Sequence, residues 1–252
     1  MSALSISQTA TAVGANVPAS FLATGGTEPY TYSVRANGAG GTIDSATGVY
    51  TAPAVASSDS KYFYDTIQAV DSATPALIGT AKILVGTPLL LFCDIIQHET
   101  GLANGRVYLW DQKIFQPSDD DLYIAVSQVL CKPFGSSNYS DGSGSGMDSI
   151  QSVNMLALLD IDIISRGPAA RDRKEEVILA LCSVYAEQQQ DLNSFSIGRL
   201  PAANRFINLS NVDGAAIPYR YKISVNMQYF VKKTQAVPYF DTFQTVAVTT
   251  DP

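Results

Sequence analysis

Apolar and polar residues alternate in short runs over the first third of the chain. In "YTYSVR", Tyr30, Tyr32 and Val34 fall on one side while Thr31, Ser33 and Arg35 fall on the other. That is the period-two pattern of a half-buried strand. "TAKILVG" repeats it with Ala81, Ile83 and Val85 on one face. Between such runs, "ANGAGG" and "SATGVY" supply residues that tolerate positive φ and so mark turns. Short strands separated by turns predict an all-β sandwich over residues 1–86.

The pattern changes at Thr87. Thr87 and Pro88 predict a helix start, with proline in the first turn, where its missing N–H costs nothing. Leu91, Ile95 and the Phe92/Ile96 pair make an apolar stripe, and Gly101 is a stop signal. "GRVYLWDQ" and "LYIAVSQVLC" predict strands joined by the acidic turn "PSDDD", and "SIQSVNMLALLDIDIIS" predicts a long apolar strand. "FGSSNYSDGSGSG" reads as a mobile polar loop; it lacks the Lys-Ser/Thr ending of a phosphate cradle. Residues 168–192 predict one main helix of roughly 35 Å, with Val177, Leu181, Val184 or Tyr185, and Leu192 at helical spacing. "FSIGRL" and "RFINLS" predict short strands. "PYRYKISVNMQYFVK" alternates Tyr219, Tyr221, Ile223, Val225, Met227, Tyr229 and Val231 with Arg220, Lys222, Ser224, Asn226 and Gln228, a long strand with one buried and one polar face. "FDTFQTVAVTT" predicts a further strand. Residues 87–252 are thus expected to form an α+β domain, an antiparallel sheet flanked by two helices.

Composition narrows the function classes. The chain has 252 residues, enough for two domains, and is 46% hydrophobic but only 15% charged. Low charge with 18 Gly and 13 Tyr suits a β-rich, assembly-forming surface. A net charge of −7 argues against nucleic-acid binding, which needs clustered Lys and Arg. Cys93, Cys131 and Cys182 are odd in number, sparse and without C-x-x-C spacing, so neither a disulfide framework nor a zinc site is expected, and they read as buried small hydrophobes. "MSALSISQTA" has no signal-peptide pattern, and "PLLLFC" is too short to cross a bilayer, so neither secretion nor a membrane partner is expected.

Candidate chemistry is sparse. His98 is the one histidine, beside Glu99, with no nucleophile motif, and reads as a polar helix-surface residue. Asp119, Asp120 and Asp121 lack calcium-loop spacing and read as a solvated hairpin turn. Asp160 and Asp162 share a strand face and read as a solvent-facing or subunit-contact end. No catalytic residue, metal ligand or cofactor is expected, and no enzyme. In "RGPAARDRKEEVILALCSVYAEQQQ", Arg171, Arg173 and Lys174 are mixed with Asp172, Glu175 and Glu176, so local charge nearly cancels. Pairs four apart, such as Arg171–Glu175, predict a salt-bridged helix face. With Arg166 before it and Arg220 and Lys222 on the polar strand face, Arg171, Arg173, Lys174 and Glu175 are the subunit-interface candidates.

Two resemblances extend this reading. "GGTEPYTYSV", "GGTIDSATGVYTAP" and "DTIQAVDSATPA" resemble bacterial immunoglobulin-like modules of surface and phage virion proteins. That likeness implies an immunoglobulin-like sandwich over residues 1–86, with weak glycan contact. "LDIDIISRGPAARDRKEEVILALCSVYAEQQQ", followed by "PYRYKISVNMQYFVKK" and "YFDTFQTVAV", resembles phage neck and tail proteins of the tail-terminator class. This implies that residues 87–252 form a ring domain, a hexamer of identical subunits in the virion. The ring would cap the tail tube and join it to the head, with tail tube or sheath and neck connector proteins as partners, after synthesis in the host cytoplasm. A collar, baseplate or glycan-binding decoration protein is the alternative, and an enzyme with a binding module the remoter one.

Overall fold

The computed structural model describes residues 3–10, 12–53, 63–103, 105–110, 119–134, 138–141, 148–198, 205–210 and 219–236. Eight strands come first: β1 (Ser5–Gln8), β2 (Ala12–Val13), β3 (Pro18–Thr24), β4 (Thr31–Asn37), β5 (Thr42–Ile43), β6 (Val49–Thr51), β7 (Phe63–Val70) and β8 (Ile78–Val85). They form two four-stranded sheets, ordered β1-β3-β6-β5 and β2-β8-β7-β4. Alternation drives the packing. Ala19, Phe21 and Ala23 of β3 turn inward, as do Tyr32, Ile67, Ala69 and Ile83 from the facing sheet. Tyr30, Tyr32 and Val34 share the inner side, as their spacing predicts.

The remaining elements are α1 (Pro88–Thr100), β9 (Val107–Leu109), β10 (Tyr123–Pro133), β11 (Asn138–Asp141), β12 (Asp148–Ser165), α2 (Ala169–Leu181), α3 (Val184–Asn193), β13 (Phe195–Ile197), β14 (Ile207–Asn208) and β15 (Tyr219–Ala236). The third sheet runs β13-β15-β12-β10-β9, with β11 on β12 and β14 on β15. Its backbone is the antiparallel pair of 18-residue strands β12 and β15, in unbroken register from Asp148↔Ala236 to Ser165↔Tyr219.

The expected architecture, an immunoglobulin-like sandwich followed by an α+β domain with two flanking helices, is not the one adopted. Strand dominates the chain, in three sheets, and the three helices among the described residues have only 13, 13 and 10 residues. The single helix expected over 168–192 breaks at Cys182–Ser183. Ser183 is extended there, and its hydroxyl accepts from the Ala186 N–H, capping a new helix. The break turns Val184 and Leu192 outward while Val177 and Leu181 stay buried. The expected acidic hairpin turn is also corrected: β9 and β10 run parallel, so Asp119–Asp121, which precede β10, do not turn a hairpin between them. The Gly-rich stretch contributes β11 at its centre. The strand expected in "FDTFQTVAVTT" lies outside the described residues.

Helix α1 departs from the expected stripe. Leu90, Leu91, Phe92, Cys93, Ile95 and Ile96 are all at most 2% exposed, so the helix is buried nearly all round. One side meets the third sheet through Val107, Ile124, Leu159, Ile161 and Ile223. The other meets β2 and β8, whose Ala12 and Leu84 face away from the first core and join this second one. Proline starts the helix as expected, but Thr87 makes no side-chain cap bond, and Gly101 ends it at φ 65°. Two cores therefore meet at the boundary near residue 86. Cys93 is buried as expected, whereas Cys131 and Cys182 are exposed.

Candidate functional site

Asp160 and Asp162 lie on the sheet face turned away from the helices, and β15 supplies their partners. Arg220 Nε donates to Asp162 Oδ1 at 3.0 Å, and Lys222 Nζ donates to Asp160 Oδ2 at 2.9 Å. Both links are diagonal, because the register sets Asp162 opposite Lys222 and Asp160 opposite Ser224. Ser224 Oγ adds a bond to Asp160. The two carboxylates are thus ion-paired within the chain rather than turned to solvent at a strand end. Arg220 also lies 6.0 Å over the Trp110 ring, beside the stacked pair Tyr108 and Tyr123. Burial pushes the Tyr108 phenol up to about 12, with Tyr123 adding to the shift.

The sequence-predicted helix charges are largely consumed within the chain as well. Arg171 pairs with adjacent Asp172 at 2.8 Å, Lys174 with adjacent Glu175 at 2.6 Å, and Arg173 with Glu176 at 2.7 Å. The expected four-apart pair Arg171–Glu175 is replaced by these nearer partners. Arg173 Nη2 also donates to the Thr100 carbonyl at the end of α1, at 2.8 Å. Arg171 and Lys174 sit over the rings of Tyr219 and Tyr221. Arg166 is exposed and adds to the field that, after the Arg106 hydrogen bonds, holds the Asp119 carboxyl below its usual range. The structure therefore brings Arg171 and Lys174 near the start of β15, and sets Arg220 and Lys222 on its opposite face.

Past the helices the third sheet continues as an arm. Along β10, burial falls from complete at Ile124–Val126 to exposed from Val129 onward. The register aligns Leu130 with Leu158, Lys132 with Leu156, and Asn154 with Phe230, while the Phe134 N–H donates to the Asn154 carbonyl. Leu130, Phe134 and Phe230 therefore share one face, at 50%, 51% and 49% exposure. Sequence reasoning missed this patch: only the register of β10, β12 and β15 brings the three side chains to the face that also carries Asp160 and Asp162.

It also missed a cleft of about 690 Å³, open to solvent, between the loop after β1 and the helices α1 and α3. His98 and Tyr185 form one wall, their rings stacked at 4.0 Å and inclined by 20°. Tyr185 donates its hydroxyl to Asp94 Oδ2 at 2.8 Å. Burial raises the Asp94 carboxyl above its ordinary value, against the opposing pull of the Tyr185 bond and His98. Gln8, Thr9, Gln188 and Asp191 complete the lining. Next to the cleft, the Gly14 N–H donates to Asn193 Oδ1 at 2.5 Å, tying the first sheets to α3. The rise and stack of His98, Asp94 and Tyr185 had one legible trace, the four-residue spacing of Asp94 and His98 on α1.

No group of three or more His, Cys, Asp and Glu side chains placed to hold a metal occurs among the described residues, nor any helix long and apolar enough to cross a membrane. Comparison of the chain with protein-family models and with curated proteins finds no match to either.

Proposed function

We propose that the chain is a structural subunit of a tailed-bacteriophage virion, closing with identical copies into a ring at the head–tail junction that caps the tail tube and joins it to the head. The observation that supports an assembly role is the arm. Leu130, Phe134 and Phe230 are exposed apolar side chains on the sheet face turned away from the helices. Exposed apolar side chains of this kind, interleaved here with Lys132 and Asn154 and bordered by Asn226 and Gln228, are typical of surfaces that another protein covers. The position at the head–tail junction rests on the sequence resemblance of residues 88–250 to neck and tail proteins, and the hexameric count rests on it too.

In this reading the protein acts without catalysis and without a cofactor. Its partners are its own copies, the tail tube or sheath, and the neck connectors. Strand β15 does not offer a free edge for ring closure along its whole length, since β12 covers one side and β13 and β14 cover parts of the other. Contacts between copies therefore run through faces, the arm patch and the exposed side of α2, where the mixed charges set register. The cleft favours a second reading, a decoration or adhesion protein of the same virion.

Reconstruction of intact particles tests the proposal. Density for this chain in a closed ring between portal and tail is the expected result. Its presence only on the capsid surface or at the tail tip overturns it. Phe134→Ser with Phe230→Ser is expected to leave the chain folded and absent from purified particles.

A further inference from the structure

We propose that the cleft between α1, α3 and the loop after β1 is a binding site for a neutral saccharide. The inference is independent of the ring proposal and rests on the chemistry of the walls. The His98 ring is backed by the Tyr185 ring stacked on it, and the His98 side chain is 51% exposed. Tyr185 is held in place because its hydroxyl is anchored on Asp94, so the platform is set before any ligand arrives. Preorganised rings lose little freedom on binding.

Around that platform the polar groups are mixed in kind. Thr9 and Gln188 supply both donors and acceptors, Asp191 supplies acceptors, and the His98 imidazole keeps Nε2 free of any partner among the described residues while Nδ1 meets Glu99. Gln8 carries the sharpest signal. Its Oε1 is buried without a hydrogen-bond partner among the described residues. An orphaned acceptor of this kind is costly and asks for a donor. The terminal torsion of glutamine is broad, so the amide can turn to meet a hydroxyl entering the cleft.

The same lining excludes other ligands. Neither lysine nor arginine is among its residues, and Asp191 is, so phosphates and acidic sugars meet no countercharge. One lining carboxylate without a second or third ligand does not make a cation site. Apolar ligands would strand Gln8, Thr9, Gln188 and Asp191 without water or partners. A neutral sugar matches each wall: its C–H face lies on an aromatic ring, and its hydroxyls both give and accept hydrogen bonds.

The test uses the full chain with a panel of neutral oligosaccharides (glucose, mannose, galactose and N-acetylglucosamine trimers) and, for comparison, sulfated and uronic-acid trimers. Binding is read by saturation-transfer NMR and by titration calorimetry. At least one trimer is expected to bind saturably with Kd at or below about 1 mM. Gln188→Ala changes an exposed position on α3 and is expected to weaken that binding roughly tenfold with an unchanged melting temperature. His98→Ala is expected to abolish it, and Phe230→Ser, on the arm, to leave it intact. No binding by any trimer at about 10 mM overturns the proposal. So does binding that survives both cleft substitutions, or binding confined to sulfated or uronic sugars. A chain that sits in a neck ring and binds no sugar refutes this site alone; one that binds sugar and is absent from the neck refutes the ring alone.

Discussion

Replacing Asp65 by alanine probes how the first two sheets are held together. Asp65 is fully buried on β7, where its carboxylate accepts from the Ala39 N–H at 2.7 Å, the Gly41 N–H at 2.8 Å and the Tyr50 hydroxyl at 2.6 Å. Burial, then the hydrogen bond to Asp65, pushes the Tyr50 phenol far above its ordinary value, so it remains a donor throughout the accessible pH range. Gly41 belongs to the same device: a Cβ there would collide with the Tyr50 ring. Asp65→Ala leaves the buried Gly41 N–H and Tyr50 hydroxyl without an acceptor, while the partly buried Ala39 N–H recovers water. At about 1–3 kcal/mol for each stranded buried group, the expected loss is about 4 kcal/mol. For a protein of this size that corresponds to a fall of about 10 °C in Tm.

Tyr50→Phe removes one donor and leaves the carboxylate two, for an expected loss of about 2 kcal/mol. The double variant is the sharper measurement. Once the hydroxyl is gone it can no longer be stranded, so the combined loss is expected to fall short of the sum by about 1–2 kcal/mol. Urea unfolding of the full chain, followed by circular dichroism, reads all three. An Asp65→Ala loss under about 1 kcal/mol, or strict additivity in the cycle, would refute the idea that this carboxylate organises the turn around Gly41.

Three further outcomes are expected. Asp94→Asn keeps an acceptor for Tyr185 and removes a carboxyl whose folded pKa is raised; the wild type loses stability as pH rises from its ordinary value of 3.8 through the raised folded value. The variant is therefore expected to gain on the wild type between pH 4 and pH 8 in melting experiments, and a constant difference would count against the burial argument. Arg220→Met is expected to cost about 3 kcal/mol, because Asp162, with its side chain 4% exposed, loses its countercharge, whereas Lys222→Met costs about 1 kcal/mol because Asp160 keeps Ser224. Equal losses in urea titrations contradict the ladder. Ser183→Ala removes the cap of α3 and is expected to cost about 1 kcal/mol, measured by the same titrations, with Ser183→Asp restoring it.

What the sequence determined by itself was the side-chain rhythm of single elements. The alternation in "YTYSVR" and in "PYRYKISVNMQYFVK" names the inward residues of β4 and, from Tyr221 to Met227, of β15, because a strand's two faces differ at every step, although Tyr219 and Val231 at the ends of that face are exposed. Gly101 reads as a helix end for an equally local reason, its positive φ. Partnership is not local. "RVYLWDQ" and "LYIAVSQ" look like a hairpin, yet β9 lies parallel to β10. The periodicity across residues 168–192 could not reveal that Ser183 would turn its hydroxyl back on the Ala186 N–H and start a second helix. Nor could the stripe on α1 announce burial on a second face, which follows only once β2 and β8 are laid against it. The ion pairs of Asp160 and Asp162 depend on a register with residues about sixty positions away, and the cleft depends on three segments whose separations carry no pattern at all. Periodicity reports how a segment divides inside from outside; which other segment forms that inside is decided by the summed packing of the whole chain.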